Sequence, residues 1–154
     1  MPGPRLPGPR MTEERMRLAL GFLGLTQLAI GVWLIAGPDS FTDTVADFGP
    51  ADAHFLRDLG TFQAGLGIAL LAAVGRPSWR VPVLFAALAQ SALHTVNHLF
   101  DISNTDPGWQ GPVNFVGVLL LTGAYAYLMQ EAGRETAPRG TRDPRPQRTE
   151  RLPA

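Results

Sequence analysis

Residues 94–101 read "HTVNHLFD": two imidazoles, a carboxamide and a carboxylate inside an otherwise apolar stretch. Histidine changes charge near neutral pH and its ring nitrogens ligate metals. His94 and His98 stand four residues apart, a spacing that puts both rings on one face of a helix. With Asp101 one turn further on, and His54 or Asp58 completing the set from another segment, nitrogen and oxygen donors would suit Zn2+ or Fe2+. H-x-x-x-H alone is a short motif, and Arg57 beside that set repels a cation. The same groups suit a quinone-like or other small polar ligand, with the histidines relaying protons, and haem would need axial histidines from opposing helices. Haem and quinone rank below the metal ions. No nucleophile–base–oxyanion constellation is visible, so the sequence names no reaction.

A helical projection gathers these groups. At about 100° per residue, Asp101 falls about 20° to one side of His94, His98 about 40° to the other, and Asn97 about 60° round. Gln90 and Ser91 share the arc, whereas Leu84, Leu88 and Val96 lie elsewhere. A second polar face begins at "DAHFLRD", where Asp52 is placed to cap a helix and His54, Arg57, Asp58 and Thr61 share an arc of about 100°. Gly60, Ala64, Gly65 and Gly67 offer small surfaces for close helix approach. Asn114 and Gln27 come within reach of the same pocket. Arg57 is expected to bond Asp101 between helices, the alternatives being a local pair with Asp58 or an outward reach to headgroups.

The elements that position these residues are apolar runs. "LALGFLGLTQLAIGVWLIAG", "LGTFQAGLGIALLAAV", "VPVLFAALAQSALHTVNHLF" and "VNFVGVLLLTGAYAYLM" are long and nearly free of charge. About 20 helical residues cover the roughly 30 Å hydrocarbon core of a bilayer. The expected fold is therefore all-α, a four-transmembrane-helix bundle over 16–132 with helices at about 17–37, 53–75, 80–101 and 112–131. The first run is longer than a signal-peptide core and no small-residue cleavage pattern follows it, so it is read as a retained helix. The basic, Pro-rich ends, 1–15 and 133–154, are expected to be disordered. The loop "DSFTDTVADFGP" spaces Phe41, Val45 and Phe48 as a short surface helix would, with an irregular loop as the alternative.

The 13 basic residues, all Arg, balance 13 acidic ones, and there is no cysteine, which excludes disulfides and thiolate ligands. Twelve of the arginines flank the runs on one side, Arg57 being the exception, while the other connections carry Asp39, Asp43, Asp47, Asp52, Asp101 and Asp106. Basic short loops stay cytoplasmic, so a multi-pass plasma-membrane protein with both termini inside and an outward-facing pocket is expected. The basic segments flank membrane runs, which argues against nucleic acid as a partner. No continuous polar path crosses the runs, which argues against a channel.

Together, "HFLRDLGTFQAGLG" and "HTVNHLFD" resemble small actinobacterial-type integral membrane proteins of unassigned activity, distantly similar in architecture to DoxX-like four-helix proteins. The resemblance covers about residues 15–130. It implies His54, Arg57, Asp58, Gln63, His94, Asn97, His98 and Asp101 as motif positions, and a partner among membrane redox proteins. Three functions stay open: a small-ligand or metal binding module or redox accessory, a metal-dependent membrane enzyme, or a structural protein held by interhelical hydrogen bonds. The partners expected are the lipid bilayer and either a membrane redox protein or a second copy of the chain.

Overall fold

The computed structural model describes residues 10–45 and 52–136. Within these residues five helices follow one another: α1 (Glu13–Ala36), α2 (Pro38–Val45), α3 (Ala53–Val74), α4 (Pro77–Phe100) and α5 (Gln110–Thr136). The first begins earlier than the apolar run because Thr12 caps it, its hydroxyl accepting from the Arg15 N–H at 3.3 Å. Glu13 and Glu14 in the first turn complement the helix dipole. Pro77 opens α4, where its missing N–H costs nothing. The short helix expected after the first run is present as α2; Asp47 and Phe48 lie outside the described residues, as do the chain ends before Arg10 and beyond Thr136.

The expected four-transmembrane-helix bundle is corrected by this architecture. Among the described residues, two helices, Glu13–Ala36 and Gln110–Glu135, are long and apolar enough to cross a membrane. Arg57 and Asp58 interrupt the apolar run of α3, and Arg80, Gln90, His94, Asn97 and His98 dilute that of α4. Only 33% and 11% of the residues in the two apolar windows are buried within the chain, unlike the core helices of a soluble protein. Leu18, Phe22, Leu25 and Val32 of α1 and Val113, Val116 and Leu120 of α5 all face outward. An apolar surface of that extent fits a membrane location.

Helices α1 and α3 form an antiparallel pair whose backbones nearly touch. Gly24 lies against Gly67, and Gly31 against Gly60. A Cβ on Gly67 would sit 2.5 Å from the Leu28 nitrogen, and one on Gly60 2.8 Å from the Gly31 carbonyl oxygen. Gly65, expected to belong to this surface, faces open space instead. Helices α4 and α5 form a second pair, tied by the Thr122 hydroxyl to Ser91 at 2.8 Å and Thr95 at 2.9 Å. Ser91 therefore serves the α4–α5 contact and not the polar arc of His94.

The two pairs meet at one end through Met16, Leu20, Leu70, Leu84, Tyr125 and Leu128, all buried. Above this core, Gln27 donates its amide to the Tyr125 hydroxyl at 3.0 Å, joining α1 to α5. Both residues are almost fully buried. Tyr125→Phe strands the Gln27 amide and is expected to lower stability by about 1–3 kcal/mol. Adding Gln27→Leu should restore part of that loss, as read by thermal unfolding in mild detergent. A double variant less stable than the single would refute the account.

Candidate functional site

Away from that core the helix pairs enclose a cavity of about 520 Å3, beneath α2. The short helix is fastened across it from both sides. Trp33 Nε1 donates to Ser40 Oγ at 2.9 Å, and Asn114 Nδ2 donates to the Val45 carbonyl at 2.7 Å. Trp33 and Phe41 add an edge-to-face contact with centroids 5.3 Å apart. Ile30, Leu34, Phe41, Phe55, Leu56, Leu59, Val118 and Leu121 form apolar walls.

Most of the sequence-derived site residues meet here. Gln63, Gln90, His94, Asn97, His98, Asp101 and Asn114 all line the cavity, joined by Gln27 and Asp52. The His94 and His98 rings pack edge to face, with centroids 4.6 Å apart. Asp101 accepts from Asn104 Nδ2 at 3.1 Å. At the rim, Asp52 accepts from the Phe55 and His54 N–H groups at 3.1 and 2.7 Å, and these bonds hold its carboxyl below the usual range. Stability from that cap is thus full above the ordinary carboxyl pKa of about 3.9 and lost as pH falls through the lower folded value.

His54, Arg57 and Asp58 are not brought into the site. They share one arc, as their spacing predicts, but the arc points outward. Taking Asp52 as zero, Leu56, Leu59 and Gln63 fall within about 40° of it, while Arg57, His54 and Asp58 lie about 140° to 240° round. The glycine stripe of α3 decides this: docking Gly60 and Gly67 on α1 turns the charged arc away. His54 and Asp58 instead form an exposed pair at 3.6 Å. Arg57 is exposed and makes no ion pair among the described residues, so the expected bond to Asp101 is absent.

The metal expectation is corrected by the same geometry. Among the described residues, no three His, Asp or Glu side chains gather closely enough to hold an ion. Asp101 is engaged with Asn104, and the proposed completing ligands, His54 and Asp58, lie on the outer face of α3.

A second polar cluster, which the sequence shows only as a charge signal, lies at the opposite end. Arg80 is 1% exposed and grips Glu13 with both Nη atoms, at 2.7 and 2.6 Å, and Glu135 at 3.0 Å. The buried Glu131 accepts from the Met11 N–H at 2.9 Å and pairs with Arg134. Arg80 was detectable: with Leu84, Ala87 and Ser91 it falls at i, i+4, i+7 and i+11, the buried face of α4.

The DoxX-like resemblance is corrected too, since the described residues form five helices with two candidate spans in place of its four-helix architecture. No family model matches the chain, and no curated protein or solved structure matches it.

Proposed function

We propose that the chain is a membrane-embedded helical module that holds one small ligand in the cavity beneath α2. The supporting observation is the state of the polar lining. Gln63, Gln90, His94 and Asn97 border the cavity, and among the described residues their side chains make no hydrogen bond within the chain. Polar groups in an apolar surround cost free energy unless they are bonded. A ligand supplies those bonds, and about 520 Å3 lies within the roughly 300–1,000 Å3 typical of small-molecule sites.

A second reading, a structural protein held by interhelical hydrogen bonds, draws support from Gln27–Tyr125, Thr122–Ser91 and Arg80–Glu13. The two readings differ at the cavity. In a ligand module, Gln90→Leu and His94→Leu relieve unpaired polar groups, leaving the empty protein as stable or more stable while ligand retention falls. In a purely structural protein the same changes destabilise. Thermal unfolding in mild detergent, with mass spectrometry of retained small molecules, separates them. Destabilisation with nothing retained by the parent would end the ligand reading.

The arginine distribution supports an orientation with both chain ends cytoplasmic in the plasma membrane and the cavity outward. Arg15 and Arg17 lie in the first turns of α1 and Arg134 in the last turn of α5, whereas Asp39 follows the other end of α1 and Asp106 precedes the start of α5. Cysteine at Ser103 should react with an impermeant thiol reagent in whole cells, and cysteine at Glu14 only after lysis. The reverse pattern would invert the orientation.

A further inference from the structure

We infer that the cavity takes an uncharged amphiphile, with an apolar body and a hydroxyl or ester head, and excludes anionic lipids of the same shape. The inference rests on the ligand reading above and adds the chemistry of the occupant. Its first ground is a census of charge. Among the described residues, no arginine lines the cavity: Arg57 faces outward from α3, and Arg80 is committed to Glu13 and Glu135 at the far end. A carboxylate or phosphate entering there would shed water and meet no counter-ion, a costly transfer. It would also face Asp52 and Asp101.

The second ground is the placement of those two carboxylates. Asp52 is exposed at the start of α3, and Asp101 ends α4. Each already accepts hydrogen bonds from its own chain. The amides of Gln63 and Gln90 stand eleven residues along the same helices from Asp52 and Asp101, about 16 Å away along the axis. A cationic head would therefore find no carboxylate at depth. Amides and imidazoles each offer a donor and an acceptor, the complement of a hydroxyl or carbonyl. Ile30, Leu34, Phe55 and Leu121 supply the matching apolar wall.

The test compares three probes of one acyl length against the full chain in mild detergent: a monoacylglycerol, the fatty acid and the alkylamine. Binding is read by thermal shift and by native mass spectrometry at neutral pH. The monoacylglycerol should bind at least about tenfold more tightly than either charged probe, a preference worth about one or two hydrogen bonds. Gln90→Leu and His94→Leu should each weaken it by about tenfold, in protein that remains monodisperse. Gln63→Arg should reverse the preference by giving the fatty acid a counter-ion. Equal or tighter binding of the fatty acid or the amine to the parent overturns the uncharged-head inference and leaves the ligand cavity standing. Binding of none of the three, with no small molecule retained on purification, overturns both.

Discussion

Removing both carboxylates that face Arg80 should cost more stability than removing Arg80 itself. The asymmetry follows from burial. The Arg80 side chain is 1% exposed, whereas those of Glu13 and Glu135 are 50% and 32% exposed. In Glu13→Ala/Glu135→Ala the guanidinium stays in a nearly dry site without a counter-ion, and its Nε already lacks a partner. Stranding a buried charge of this kind costs about 3–5 kcal/mol. In Arg80→Met the two carboxylates regain water, and Met keeps much of the apolar contact of the arginine stem. The cost there should be closer to the value of charged hydrogen bonds, about 1.5–3 kcal/mol. Equilibrium unfolding of both variants in one detergent gives the comparison. A more damaging Arg80→Met would mean that the guanidinium stabilises mainly by packing, and would refute the desolvation argument.

Gly31→Leu should be the most disruptive single change in the α1–α3 pair. A Cβ at this position meets the Ala64 backbone nitrogen and lies 2.7 Å from the Gly60 carbonyl oxygen. Because the obstacle is backbone, no rotamer change relieves it, and the helices must separate. Overpacking of a tight contact costs about 1–3 kcal/mol and more where backbone must move. Ile30 and Leu34, on either side of Gly31 in the sequence, wall the cavity, so ligand retention should fall along with stability. Gly65→Ala is the control on the partner helix. A Cβ there meets nothing within 4 Å, and Ala in a helix interior is worth about 0.5–1 kcal/mol over Gly. Gly65→Ala should therefore stabilise. Similar losses in both variants would show that the close approach does not set the packing.

The amino-acid sequence carries the helical character of the chain, the helical spacing of Phe41 and Val45, and the polar face of α4. Each rests on spacing along one helix, which a 3.6-residue repeat reports directly. It also determined that His54, Arg57 and Asp58 share a face. Where that face points depends on packing between helices, because the Gly24–Gly67 and Gly31–Gly60 contacts fix the rotation of α3 about its own axis. That rotation removed three expected residues from the site and kept Gln63 in it. It also separated Ser91 from His94, only about 60° round the same helix, assigning one to Thr122 and the other to the cavity. The Arg80 cluster shows the same division. The period of α4 places Arg80 on a buried face, but its partners lie 67 and 55 residues away in sequence. Periodicity within one helix orders residues around that helix; which neighbour each sector meets is a property of the packing between helices, and no local repeat carries it.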